Sequence, residues 1–338
     1  RVSKRKKTAQ GHKSPAQAGE DFLTLLVNYA SDQISVADDE FTFTAPTEAF
    51  EDFQDWLRRV CEGLGIRRLR MLDEPTACVL GYHGAARKDD RFVVFDFGCG
   101  TLDVSAVRID LAAHQENKAV QLGKAGRDLG GLDIDRWLAE DFSRRHDLEE
   151  RDKRELEAVI LRQAEAVKMA LSDPLQDEAD LQVLSQAGAR PRLLRTTYAR
   201  ACGDCERGRV GEHPSPDSAC LGCLLLGNDF LRQTRETLER ALENAAVKAG
   251  LRRDDVVKVL VTGGTSLVPA VRQLLAASFD SRVDYQSPFD AVARGACLGV
   301  VAPILQHDYA IESYNREQQK YEFAPLFKIG TEYPTPPD

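Results

Sequence analysis

The chain has 338 residues, 43% of them hydrophobic and 29% charged, an ordinary balance for a soluble globular protein large enough for two lobes. Its formal net charge of -9 argues against nucleic acid as the main partner, and no apolar run approaches the length that spans a bilayer. Eight cysteines without a secretory leader point to a reducing, cytoplasmic setting, where thiols or metal ligands are expected rather than disulfides.

The first residue is Arg1, which suggests a fragment. Residues 1–13 carry Arg1, Lys4, Arg5, Lys6, Lys7 and Lys13 with no acid, the composition of a disordered basic tail. Ser14-Pro15 reads as a helix cap and first helical position, and Phe22, Leu25, Leu26 and Tyr29 follow at helical spacing as a buried stripe. Phe41 and Phe43 alternate in a strand closed by Pro46. Phe50, Phe53, Leu57, Val60 and Leu64 predict an amphipathic helix ended by Gly63 and Gly65.

A short strand from Arg67 to Leu72 leads into Asp73-Glu74-Pro75-Thr76-Ala77. Proline at a helix start leaves the acid at the strand's carboxyl end, where α/β proteins place ligands. Glu74 there either orients an attacking water or simply caps the helix.

The stretch RFVVFDFGCGTLDVSAVRID (Arg91–Asp110) is the centre around which the rest of the chain is arranged. Phe92 to Phe95 is a run of β-formers buried on both faces, ending at Asp96, and Leu102, Val104 and Ala106 resume with strand alternation. The glycines therefore make a hairpin turn, not the mouth of a helix. Its consecutive N–H groups can cradle a phosphate, and Asp96 and Asp103 are hard oxygen ligands suited to magnesium. The competing reading is an ordinary glycine hairpin with solvated acids.

A strand near Ala119–Leu122 leads to Leu129-Gly130-Gly131 and a helix bearing Ile134, Leu138 and Phe142. Residues 149–172 form a long charged helix, with Glu165, Lys168 and Ser172 on one face; taken alone, that face is a solvated ion pair. Strands come next near Asp180–Leu184 and Arg192–Thr197.

Cys202-x-x-Cys205 and Cys220-x-x-Cys223 then bracket a polar segment rich in Gly and Pro. Four thiolates complete a closed tetrahedral zinc site, structural because no coordination position stays open. A loop with no core of its own would fold around such a clip. Free thiols or a redox pair are the alternatives. Asn228–Ala249 is a helix capped by Gly250, and the strand Val256–Val261 runs into Thr262-Gly263-Gly264 ahead of a helix. Ser287-Pro288-Phe289-Asp290 reads as a capping box for a small-residue helix from Ala291 to Leu305.

In order, Glu74-Pro75-Thr76-Ala77, Asp96-x-Gly98-x-Gly100-Thr101-x-Asp103, Leu129-Gly130-Gly131-x-Asp133, Val261-Thr262-Gly263-Gly264 and Ala291-Val292-Ala293-x-Gly295 resemble the ATPase domain of DnaK-type heat-shock 70 kDa chaperones. The resemblance spans about residues 40–305. It implies an α/β, actin-like (ribonuclease H-like) two-lobed ATPase fold. Residues 14–90 would be the remainder of the first lobe, and 91–306 the second lobe with a zinc-knuckle-like insertion at about 200–226. Residues 307–338 would be a linker and the start of a peptide-binding β-domain.

The resemblance also implies ATP or ADP and Mg2+ as ligands. Asp96 and Asp103 would hold magnesium through water and Glu74 the nucleophilic water. Gly98, Gly100 and Thr101 would form the second phosphate hairpin, with Gly130 and Gly131 beside the phosphates. Glu165, Lys168 and Ser172 would meet the adenosine on one side, Gly263 and Gly264 on the other.

Several positions depart from that pattern. The family's first phosphate hairpin and its lysine are not recognisable before residue 40, so the fragment alone is expected to be inactive. Cys99 replaces a glycine, where a positive φ would be strained. Met169 and Leu267 replace arginines that sandwich adenine, and Phe289 replaces an acid. The implied partners are exposed peptide segments, through a substrate domain absent here, and J-domain and nucleotide-exchange co-chaperones. The alternative is a degenerate nucleotide-binding scaffold whose zinc loop docks a protein; an actin-like filament protein is a third reading.

Overall fold

The structure, a computed structural model, describes residues 6–8, 11–45, 50–82, 89–112, 115–185, 191–298, 309–315 and 320–327. In chain order its first elements are β1 (Lys6–Thr8), β2 (Gly11–Lys13), α1 (Pro15–Ala30), β3 (Glu40–Ala45), α2 (Phe50–Gly63), β4 (Arg68–Asp73) and α3 (Glu74–Tyr82). The hairpin strands β5 (Arg91–Phe97) and β6 (Leu102–Ala112) come next, then β7 (Gln115–Arg127), α4 (Gly131–Arg145) and α5 (Glu150–Ser172). After these lie β8 (Glu178–Ser185), β9 (Arg192–Ala199), α6 (Gly203–Glu206), β10 (Ser218–Cys220), α7 (Leu221–Gly227) and α8 (Phe230–Ala249). The last are β11 (Lys258–Thr262), α9 (Pro269–Phe279), β12 (Val283–Asp284), α10 (Ala291–Leu298), β13 (Tyr309–Asn315) and β14 (Lys320–Phe327). No helix among the described residues is long and apolar enough to cross a membrane.

The chain divides into two compact units. One comprises residues 1–80, 111–118 and 293–338. In it β3 and β4 pair in parallel, and Phe41 and Phe43 pack with Phe53, Trp56 and Leu57 of α2. Two expectations fail in this unit. Part of the predicted disordered tail is ordered: β1 and β2 form an antiparallel ladder, and Lys13 pairs with Asp21 of α1. Composition registers the charge, but such a ladder is held by backbone groups that composition does not weigh.

The second failure concerns α1. Its cap is as predicted, with Ser14 and Gln17 exchanging side-chain and backbone hydrogen bonds. Yet Phe22, Leu25, Leu26 and Tyr29 are all at least half exposed, and Leu23 and Val27 carry the packing instead. The two sets are neighbouring faces of one helix, and periodicity cannot choose between them when both are apolar.

The other unit comprises residues 81–110 and 119–292. Its main sheet has the strand order β12-β11-β5-β6-β7, with β5 parallel to β11 and antiparallel to β6. A second sheet runs β10-β9-β8. The core lies against the main sheet, where Phe95 and Phe97 meet Ile134, Leu138 and Phe142 of α4, Ile160, Ala164, Val167 and Leu171 of α5, and Phe230 and Leu238 of α8. Phe97 stacks on Phe230 with ring centroids 5.4 Å apart. A Cβ at Gly123 would stand 2.3 Å from the Ala245 nitrogen, so α8 presses directly on β7.

The predicted capping box at Ser287 differs: Pro288, Phe289 and Asp290 form a turn, and α10 starts only at Ala291. Residues 299–305 of that predicted helix, and the tail beyond Phe327, lie outside the described residues.

Candidate functional site

Asp96 and Asp103 are register partners across the β5–β6 ladder. The turn between them closes by Gly98 N–H donating to the Thr101 carbonyl at 2.9 Å. Burial, and then the charge of Asp103, push the Asp96 carboxyl up to about 6. Two acids held opposite each other in a partly dry place are a donor set that favours a cation. A Cβ on Gly126 of β7 would sit 2.8 Å from the Asp103 Oδ1 atom, so this glycine leaves room for the carboxylate. Sequence reading missed Gly126, because a lone glycine inside a strand announces only a close approach, not what approaches.

The feared strain at Cys99 is absent. Among the described residues the non-glycines with positive φ are Asp89, Asp147, Asp229 and Asp280, so Cys99 adopts a backbone open to any residue. Gly98 and Gly100 do not have positive φ either. A Cβ on Gly100 would meet nothing within 4 Å, and one on Gly98 only the Thr101 carbonyl at 3.8 Å. Neither conformation nor packing asks for glycine here. What glycine provides is open space over the turn's backbone, the fit a phosphate needs.

Two further glycine segments meet this turn. Gly131 N–H donates to the Gly98 carbonyl at 3.3 Å and Leu132 N–H to the Cys99 carbonyl at 2.7 Å. Gly130 is obligatory, since a Cβ would lie 2.3 Å from the Cys99 oxygen, and its N–H is held by the Asp133 carboxylate at 2.8 Å. The Thr265 hydroxyl also donates to the Gly98 carbonyl, at 2.8 Å. Gly263 takes φ +81°, and a Cβ there would lie 2.4 Å from the Phe97 oxygen. The register of the sheet explains the meeting: Thr262 of β11 is level with Asp96 of β5, so both strands release their turns at the same edge.

The α5 residues divide. Lys168 Nζ bonds the Asp135 carboxylate at 2.8 Å and the Gly131 carbonyl at 3.2 Å, which brings it beside the glycine turn. Burial raises the Asp135 carboxyl against the pull of Lys168, and its Oδ1 atom is buried without a hydrogen-bond partner. Glu165 is exposed on the same helix and close enough for its charge to act on Asp135. The Ser172 hydroxyl donates to the Lys168 carbonyl of its own helix at 2.9 Å. Met169 is exposed, and so is Phe289, whose ring edge would stand 3.5 Å from a Cβ built on Gly264.

Glu74 belongs to the other unit, half-buried in the first turn of α3. Capping is performed by its neighbour: the Asp73 carboxylate accepts the Thr76 N–H at 2.9 Å.

A separate cluster forms in the cysteine loop. Sγ of Cys202 is 3.4 Å from Sγ of Cys223, and Sγ of Cys205 is 3.8 Å from that of Cys220. His213 Nε2 stands 3.9 Å from the Cys202 sulfur. Donor atoms of Cys202, His213, Cys220 and Cys223 all lie within 4.8 Å of one another. That group takes in three of the four expected cysteines together with His213 and does not include Cys205. The only signal for His213 was a histidine between the two CxxC pairs. The backbone N–H of Cys205 is the chief cause that draws the Cys202 thiol down to about 6, whereas burial pushes Cys220 up.

Arg145, at the end of α4, fixes the loop. Its Nη1 donates to the carbonyls of His213, Ser215 and Ser218 at 2.8–3.0 Å, while its Nε meets the buried Asp141 at 2.6 Å.

Residues 6–201 and 224–313 match the family described as Hsp70 protein. The skipped interval opens at Cys202 and closes at Cys223. Chaperone protein DnaK of Deinococcus deserti is 27% identical over 305 residues, covering 88% of this chain and 44% of that protein. DnaK of Deinococcus radiodurans is 26% identical with the same coverage of each chain. Chaperone protein HscA of Photorhabdus laumondii is 28% identical over 293 residues, covering 86% of this chain and 41% of that protein. The chain thus spans less than half the length of these relatives. Its mixed helices and sheets fit the actin-like ATPase fold expected from its motifs. With the family matched over most of its length, the chain belongs to the Hsp70 family.

Proposed function

We propose that this chain is a DnaK-type ATPase domain that binds ATP and ADP with magnesium and, within the complete protein, couples hydrolysis to holding exposed peptide segments. One observation carries the reading. Three glycine segments far apart in sequence meet at a hairpin whose two acids face each other.

Asp96 and Asp103 are the residues to hold magnesium through its waters, and the ion, when bound, neutralises charge on the phosphates. The Gly98–Thr101 turn and the Gly130-Gly131 segment offer backbone to phosphate oxygens. Lys168, Glu165 and Ser172 on α5 take one side of the adenosine, Gly263 and Gly264 the other. Met169 and Phe289 supply apolar surface to the base in place of arginine and acid. Glu74 orients the attacking water. Catalysis of this type is positioning plus electrostatic stabilisation rather than covalent chemistry. A structural zinc in the Cys202–Cys223 loop, a cytoplasmic location, and J-domain and nucleotide-exchange partners complete the reading.

Calorimetry with Mg-ADP tests it. Binding to the chain that is lost in Asp96→Ala supports the ATPase reading. No binding to either protein would favour the degenerate scaffold with a partner-docking zinc loop.

A further inference from the structure

We propose that the metal centre of the 202–223 loop is a three-sulfur, one-nitrogen site built from Cys202, His213, Cys220 and Cys223, with Cys205 beside it and outside the ligand set. This deepens the zinc reading above and rests on it. The loop offers five cysteine and histidine donors, and a closed structural zinc site takes four. Mutual proximity selects the three cysteines with His213.

Hydrogen bonds at the sulfurs bear on the same choice. The Cys205 Sγ atom is engaged by its own turn: it lies 3.2 Å from the Cys202 carbonyl oxygen and accepts the Cys202 N–H at 3.1 Å. A ligand thiolate at that place would set its charge against the lone pairs of the carbonyl oxygen. The Cys223 sulfur accepts the Gly211 N–H at 3.2 Å, the kind of bond that steadies a thiolate ligand.

His213 is also held for the task. Its carbonyl is one of the three that Arg145 gathers, and Arg145 is in turn fixed by Asp141, which accepts the Tyr198 hydroxyl at 2.9 Å. Ligand orientation by such a frame is what a metal site requires. Three thiolates and a neutral imidazole leave one net negative charge on the centre, where four thiolates would leave two. The family match skips this loop, so the site is an addition to the family's shared body.

Zinc-edge X-ray absorption on the intact chain reads the ligand set directly. Three sulfurs at about 2.3 Å and one nitrogen at about 2.0 Å are expected. In chelator competition Cys205→Ser keeps one equivalent of zinc at near wild-type affinity. His213→Ala weakens zinc by about 100-fold or more, since a lost ligand costs at least as much as a lost supporting bond. A four-sulfur shell, or loss of zinc from Cys205→Ser, would overturn this ligand set and leave the zinc reading standing. A folded wild-type chain purified with zinc present yet holding none would overturn the zinc reading itself. The absorption measurement needs no variant, so misfolding of His213→Ala cannot obscure the answer.

Discussion

Asp96 and Asp103 stand directly opposite each other on adjacent antiparallel strands, and the Asp96 carboxyl is pushed up to about 6 by burial and by the charge of Asp103. The folded chain therefore binds a proton more tightly at Asp96 than the unfolded chain does. Ionising this group opposes folding, so the stability it adds is present below about pH 4 and is lost as pH rises through 6. At pH 8, Asp96→Asn should stabilise the nucleotide-free chain by on the order of 2 kcal/mol, a gain that vanishes near pH 4. Denaturant melts at the two pH values check it. Mg-nucleotide affinity should move the other way, falling in Asp96→Asn and, in the wild type, below pH 6.

The glycines of the site should separate into two kinds. Gly100→Ala meets no atom, and its stability should stay within about 0.5 kcal/mol of wild type while Mg-ADP affinity falls. Gly130→Ala and Gly263→Ala strike backbone oxygens at 2.3 and 2.4 Å and should cost about 1–3 kcal/mol each. Thermal melts with and without Mg-ADP distinguish the two kinds.

At the start of α3, Asp73→Ala removes the cap on Thr76 and should destabilise by about 1 kcal/mol. Glu74→Gln should slow ATP turnover in the complete protein while nucleotide binding persists. Single-turnover hydrolysis beside equilibrium binding separates these neighbours.

Arg145→Ala frees three loop carbonyls and strips one partner from buried Asp141, which keeps Arg144 and Tyr198. A loss of about 2 kcal/mol is expected. Zinc should leave this variant faster than wild type when a chelator is added, as a release time course would show.

The sequence makes the backbone of the site legible and its side-chain surroundings much less so. The β5–β6 hairpin, the Gly130-Gly131 turn into α4 and the Gly263-Gly264 turn were readable because glycine and strand alternation encode local conformation. Where a side chain ends up is settled by distant partners. Phe22 and Tyr29 looked buried, and Leu23 and Val27 do the packing. Lys168 looked like half of a solvated pair, yet its partner is Asp135 of α4 rather than its helix neighbour Glu165. His213 was silent because a single histidine in a polar segment has no pattern to betray it. Cys99 was suspected of strain by analogy with glycine, although its φ is ordinary.

The level alignment of Thr262, Asp96 and Asp103 across three strands has a consequence for variation. Because β5 and β11 are buried along nearly their whole length, sliding either by a single position would unseat every side chain from its place in the close-packed interior. Whatever protects the interior thereby also protects the spacing of the loops at the rim. Side chains at the rim, Cys99 among them, can then change without the scaffold beneath them shifting.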